Sequence, residues 1–358
     1  MSTSTFAEPI FSLTPAALNW LGRETVSVII PCYNEEKFIG KALDNLVGQY
    51  PAKDYEIVIV DGMSEDRTRY VVAEFQRAQP QIAVTLVDNP ARTIPQALNL
   101  GIAAARGEII ARVDAHAAPS QDYIRRCVAV LNEGDAAVVG MPCRVQPGAE
   151  TLIARAIAIA VSHLFGIGDA KYRLNSSAPL AAQESVDTVA FACFRKSLWT
   201  SLGGFDEKLL TNEDYDFNYR VRQRGKRVVL DRSEHCDYFA RATLSSLANQ
   251  YLRYGFWKAQ MIKQQPLSLK LRHTVAPAFV ASVLFFAGLG FLTSLAWYAL
   301  LFVLAGYAFS ALAFAFHATR KRRERLLMML ALPLIFFTIH ISWGTSFLVG
   351  LVHPSPRG

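Results

Sequence analysis

Charge is scarce in this chain. Asp, Glu, Lys and Arg supply 19% of its 358 residues while 52% are hydrophobic, and a soluble globular protein usually carries roughly 25% charged residues. Cysteine is also sparse: the five residues Cys32, Cys127, Cys143, Cys193 and Cys236 form no CxxC-type pair. That excludes a zinc-knuckle arrangement and a disulfide framework, so the five read as buried free thiols of a reducing compartment. Residues 1–24 have neither the basic start nor the apolar core of a cleavable signal peptide. Disorder is excluded from the other side, because 22 Phe, 13 Tyr and 5 Trp provide ample apolar surface to bury.

The missing charge is missing locally. No Asp, Glu, Lys or Arg occurs in the 47 residues between Arg272 and Arg320, nor in the 31 between Arg325 and Arg357. Runs of this kind are the signature of membrane spans. One helix of the first run would be roughly 70 Å long, more than twice the about 30 Å of a hydrocarbon core. It must fold back, and Gly288, Gly290, Thr293 and Ser294 offer the turn. The expected spans are 274–291, 295–316 and 327–351.

The formal charge of +7 first suggests a nucleic-acid partner, but its distribution removes that reading. Residues 273–358 hold six basic residues against Glu324, a net +5, which leaves +2 for the first 272. The cluster from Arg320 to Arg325 reads instead as a cytoplasmic loop by the positive-inside rule. Two crossings separate that loop from Arg272, which puts the large N-terminal part on the cytoplasmic side and the tail from about His353 outside. The expectation is a multi-pass protein of the cytoplasmic (inner) membrane.

Before the spans, short apolar β-branched runs alternate with helical patterns. Val26 to Pro31 ends in a proline and leads into a helical pattern over Asn34 to Tyr50. Strand Glu56 to Val60 precedes a helix to about Gln79; strand Ala83 to Val87 precedes a helix from Ile94 to Ala105; strand Glu108 to Val113 follows. This order predicts an α/β domain with a mostly parallel central sheet and helices on both faces. Ligands of such sheets gather at the carboxyl ends of the strands. The loops there read Pro31-Cys32-Tyr33-Asn34-Glu35-Glu36, Asp61-Gly62-Met63-Ser64-Glu65-Asp66-Arg67-Thr68, Asn89-Pro90-Ala91-Arg92 and Asp114-Ala115-His116. A single carboxylate after a strand equally serves as a helix cap; four polar loops on successive strands are a stronger sign of a site.

These residues resemble the family 2 glycosyltransferases, which have the GT-A nucleotide-sugar-binding fold. The resemblance rests on PxYNEE, on the DGxSxDxT loop and on a DxD-like element after the fourth strand. Downstream it extends through Thr188 to Trp199, Gly203-Gly204-Phe205-Asp206, Asn212-Glu213-Asp214 and Gln250 to Lys258, to about residue 260. With DAH in place of DxD and three C-terminal spans, the chain is most similar to the ExoA-type glucosyltransferases of succinoglycan assembly. The implied organisation is an N-terminal tail (1–24), a cytoplasmic GT-A domain (25–242), interfacial or acceptor helices (243–272), three transmembrane helices (273–352) and a tail (353–358).

The resemblance implies a role for each residue. Asp61 reads the uracil imide, whose N–H a carboxylate accepts; Tyr33 packs on the base, Glu35 contacts the ribose, and Pro31 and Arg92 complete the donor side. Asp114 is a hard oxygen ligand that suits Mg²⁺ or Mn²⁺, and His116, where the family has a second aspartate, tilts the choice toward Mn²⁺ or else donates to a phosphate. Ala115 keeps both on one side of an extended segment. Asp214 is the base that an inverting displacement requires and Glu213 orients it. Both begin a helix, where negative charge is favoured. Gln250, Arg253, Tyr254 and Trp257 form a QxxRY-type segment for the diphosphate and the acceptor, and tyrosine in place of tryptophan puts a processive role in doubt. Thr151 to Phe165 and Leu244 to Ile262 are apolar helical stretches suited to the membrane interface or to a core, and His163 and His235 read as structural.

The expected reaction moves a sugar, glucose by resemblance, from a UDP-sugar to a polyprenyl-diphosphate-linked saccharide in exopolysaccharide assembly. The implied partners are that donor, that acceptor, membrane lipid and other polysaccharide-assembly enzymes. Two rivals remain at this stage: a transferase whose acceptor is the polyprenyl phosphate itself, and a non-catalytic membrane protein that senses nucleotide sugars.

Overall fold

The computed structural model describes residues 24–174, 183–320 and 324–354. The expected tail up to residue 23, Lys321, Arg322 and Arg323 of the basic loop, and residues 355–358 lie outside the described residues.

The first half alternates as expected: β1 (Val26–Cys32), α1 (Ile39–Asp44), β2 (Tyr55–Asp61), α2 (Thr68–Ala78), β3 (Ala83–Asp88), α3 (Ile94–Ala104) and β4 (Ile109–Arg112). Then come β5 (Ala117–Pro119), α4 (Tyr123–Glu133), β6 (Ala136–Gly140), β7 (Cys143–Gln146), α5 (Leu152–Ala160) and α6 (Leu164–Ile167). The second half holds β8 (Gln183–Ser185), β9 (Cys193–Arg195), α7 (Lys196–Leu202), α8 (Glu213–Gln223), β10 (Arg227–Asp231), β11 (Cys236–Phe239) and α9 (Leu244–Gln264). Three long helices follow: α10 (Val275–Leu289), α11 (Ser294–Thr319) and α12 (Arg325–Val352).

The main sheet has the order β3-β2-β1-β4-β9-β6-β10-β8. Strands β1 to β4 run parallel, β9 runs antiparallel between β4 and β6, and β8 is an antiparallel edge. A small sheet, β5-β11-β7, stands beside it. Because β2 and β3 extend the sheet on one side of β1 and β4 on the other, the order reverses at β1/β4. A crevice opens there at the carboxyl ends. Register sets those ends level, with Cys32 opposite Asp61 and Asp61 opposite Asp88.

Strands β1 and β2 are almost wholly buried, as parallel strands covered on both faces must be. Ile29, Val58 and Val60 meet Leu98 and Ile102 of α3 on one face. On the other, a continuous cluster passes from Ile30 and Ile57 through Ile157 and Ile159 of α5 to Leu332 and Phe336 of α12. The sheet and the C-terminal helices thus share one core.

Three local expectations differ. The helical pattern over 34–50 yields only α1, because Asn34 adopts a positive φ and its segment is bonded to the second loop instead of to its own next turn. The stretch 151–165 is two helices, broken where His163 caps α6 by accepting the Phe165 N–H. Around Asp114 the chain makes a turn rather than an extended segment, with the Ala117 N–H donating to the Asp114 carbonyl at 2.9 Å.

All five cysteines are buried and free. Segments Leu271–Leu289, Ser294–Thr319 and Arg325–Val352 are helices long and apolar enough to cross a membrane. Their chain reverses at residues 290–293. Helix α9 starts at a capping box between Thr243 and Ser246 and lies against α12. There a Cβ on Gly255 would collide with the Trp343 carbonyl, and one on Gly350 would come within 2.8 Å of the Phe256 carbonyl.

Candidate active site

The first two loops clasp each other through backbone donors. Asn34 N donates to Ser64 Oγ at 2.8 Å, Glu65 N to Asn34 Oδ1 at 2.9 Å and Glu35 N to Thr68 Oγ1 at 2.8 Å. Asp61 is fully buried in this clasp. Its carboxylate accepts from Ser64 N at 3.0 Å, from Ser64 Oγ, and from Arg69 Nε at 2.6 Å. Tyr33 remains 43% exposed, with the Arg92 guanidinium 5.1 Å over its ring and Arg92 Nη1 donating to its hydroxyl at 3.2 Å. Gly62 permits this approach, since a Cβ there would stand 3.2 Å from Tyr33 Cβ. Pro31 lies inside β1, opposite Val60.

A cavity of about 690 Å³ opens at the end of β4. Asp114, His116, Glu213, Asp214, Gln250, Arg253 and Tyr254 line it, so the expected metal pair, the catalytic pair and three of the four residues of the QxxRY segment converge. Pro31, Tyr33, Glu35, Asp61, Arg92 and Trp257 are not among its lining residues. Glu35 nevertheless reaches its rim, with Oε1 3.0 Å from His116 Nδ1. Trp257 departs from its expected place beside the acceptor and packs against Leu209, Tyr215, Tyr219 and Met261.

Arg112, which no motif indicated, joins the two carboxylate groups. Its Nε donates to Asp114 Oδ1 and its Nη1 to Glu213 Oε1, each at 2.9 Å. Burial pushes the Asp114 carboxyl upward, but Arg112 and His116 outweigh it and hold it below the ordinary range. At Glu213 burial wins: against the pull of Arg112, and with the push of Asp214, its pKa rises. Burial lowers the His116 imidazole, while Glu35 and Asp114 raise it by more. Asp214 sits in the first turn of α8 and accepts from Tyr215 N at 2.7 Å.

Around them, Gln250 Nε2 donates to the hydroxyls of Tyr238 and Tyr254 at 3.2 and 3.0 Å, and Asn212 Nδ2 donates to the Tyr254 carbonyl at 3.3 Å. Arg173, Lys258 and Arg272 also line the cavity. Lys258 was discoverable: Leu247, Tyr251, Gly255 and Lys258 recur at helical spacing on the buried face of α9, and a lysine on such a face is exceptional. His163 and His235 stay outside the cavity lining.

Among the described residues no group of three or more His, Cys, Asp and Glu side chains is arranged to hold a metal alone. Asp114 and His116 still fit a divalent ion completed by substrate oxygens. Glu35 on His116 Nδ1 makes the carboxylate-to-histidine contact that orients a ligating imidazole.

A mostly parallel sheet with its order reversed above polar loops, and carboxylates gathered in the crevice, mark an α/β fold of the GT-A kind. Residues 27–199 match the model of Glycosyl transferase family 2, so the chain carries a domain of that family. It is 26% identical over 91% of its length, and 97% of the relative's, to a dolichyl N-acetyl-alpha-D-glucosaminyl phosphate 3-beta-D-2,3-diacetamido-2,3-dideoxy-beta-D-glucuronosyltransferase of Methanococcus voltae. It is 29% identical to the succinoglycan biosynthesis protein ExoA of Rhizobium meliloti, covering 72% of this chain and 76% of that one. Among solved structures, a mannosyltransferase of Pyrobaculum calidifontis in complex with GDP-Man and Mn²⁺ superposes with a TM-score of 0.58. The identity is 21%, over 92% of this chain and 87% of that one.

Proposed function

We propose that this protein is an inverting, metal-dependent transferase that moves glucose from UDP-glucose to a polyprenyl-diphosphate-linked saccharide at the cytoplasmic face of the membrane, in exopolysaccharide assembly of the succinoglycan kind. The observation that carries the reading is the composition of one cavity. Asp114, His116 and Asp214 line it together with Ala276, Phe314 and Trp343 from the three membrane-type helices. The names of the Methanococcus and Rhizobium relatives add a lipid-linked acceptor and an exopolysaccharide context.

In this reading Pro31, Tyr33, Glu35, Asp61 and Arg92 hold the nucleoside side of the donor. Asp214 takes the proton from the acceptor hydroxyl, whose oxygen forms the new bond to the anomeric carbon as the bond to UDP breaks. Glu213, pinned by Arg112, fixes the first turn of α8 and so orients Asp214. A divalent ion held by Asp114 and His116 would neutralise the charge that develops on the departing diphosphate. Gln250, Arg253 and Tyr254 position the diphosphate and the acceptor.

The test is UDP release from UDP-glucose with Mn²⁺ and a lipid-linked oligosaccharide. Wild-type protein releases UDP, and Asp214→Asn lowers kcat by about 10²–10⁴-fold. Equal activity of this variant on polyprenyl phosphate would favour the lipid-phosphate rival, because a phosphate oxygen needs no base. Donor binding without any UDP release would favour the sensor.

A further inference from the structure

The cavity has features that sugar transfer leaves unused. Leu164 and Phe165 of α6, Phe314 of α11, and Ile339 and Trp343 of α12 give it an apolar wall. In that wall Phe165 stacks on Phe314 with ring centroids 4.7 Å apart. The same cavity is lined by Lys258, which is 1% exposed. Its Nζ lies 3.1 Å over the centre of the Tyr215 ring and donates to Met261 Sδ at 3.6 Å. Among the described residues no carboxylate forms an ion pair with it, whereas neighbouring Arg272 is held by Asp169 and Asp187. Burial and Arg272 push the Lys258 pKa far below its ordinary value, against the weaker opposing pull of Asp214, Asp187 and Asp216.

Burial favours the neutral amine at Lys258, and an anion that joins it stabilises the charged form and forms the ion pair that the side chain lacks. An aromatic wall between membrane-type helices asks for hydrocarbon. A ligand that answers both needs has an anionic head directly attached to a chain of isoprene size. We infer that the cavity is the binding site for the polyprenyl carrier itself, with Lys258 pairing its phosphate and the wall of Phe165, Phe314 and Trp343 taking its first isoprene units. The inference deepens the proposed reading of a lipid-linked acceptor and rests on it.

The test is equilibrium binding to the full-length protein in detergent, with farnesyl diphosphate, farnesol and inorganic pyrophosphate as separate probes. Farnesyl diphosphate is expected to bind at least about tenfold more tightly than either part alone. Lys258→Gln should weaken it by at least about tenfold while leaving farnesol unchanged. Phe314→Ser, at a partly exposed position, should weaken farnesyl diphosphate and leave pyrophosphate unchanged. UDP binding by each variant reports that it is folded. Unaltered farnesyl diphosphate binding by both variants overturns the inference, as does pyrophosphate binding as tightly as the lipid, which would mark a free-phosphate site. Farnesyl diphosphate binding as described, without UDP release onto a lipid-linked saccharide, would sink the proposed reaction and leave the lipid site standing, so the two failures are distinguishable.

Discussion

Arg112 is the residue on which the two carboxylate groups depend. One planar guanidinium satisfies Asp114 and Glu213 through different nitrogens, a fork that the single ammonium of lysine cannot reproduce. Arg112→Lys is therefore expected to lower kcat by about 10²-fold and stability by about 3 kcal/mol, read by UDP release and by thermal unfolding of the same preparation. An unchanged kcat with lowered stability would confine Arg112 to a scaffolding part. Residues in motifs were visible from sequence, whereas Arg112 was not, because it lies within a strand, outside the loops where chemistry is sought; Lys258 was marked only by its place among the apolar residues of α9. Asp61 and Glu35 were visible, but not their partners. Ser64 and Arg69 reach Asp61 from its own loop and the helix after it, whereas the contact between Glu35 and His116 arises only when separate loops meet.

At the level of elements, α9 connects the site to the membrane-type helices. Gly255 and Gly350 let α9 and α12 approach backbone to backbone, and the close approach also brings Gln260 Nε2 to the Gly350 carbonyl at 2.9 Å. Filling that seam forces the helices apart, and overpacking of this kind costs about 1–3 kcal/mol. Gly255→Leu should lower the unfolding temperature in detergent and weaken the lipid-linked acceptor more than UDP-glucose, a comparison of two KM values. Strand and helix alternation through β4 was legible because buried parallel strands are continuous apolar runs. The shortness of α1 was not, since its first residues are committed to the second loop.

For the whole molecule, the shared core decides behaviour. Ile157 and Ile159 of α5 are buried in the same cluster as Leu332, Ile335 and Phe336 of α12, so the catalytic part is not an independent body on a tether. Ending the chain at residue 265 would strip that cover from α5 and α9 and expose a contiguous apolar surface. The truncated protein is expected to aggregate or require detergent, as size-exclusion chromatography would show. A monodisperse soluble fragment that binds UDP would contradict the shared core.

Local regularities were therefore written in the linear chain: the charge-free runs that make three helices, the apolar strands, and the polar loops that follow them. They could be read because periodicity and charge depletion are properties of neighbouring residues. Which loops share a cavity, that Arg112 ties Asp114 to Glu213, and that Lys258 faces the same space as Phe314 were decided only by tertiary structure. Those relations bring together residues far apart along the chain, through strand order, register and the close packing of α9 on α12.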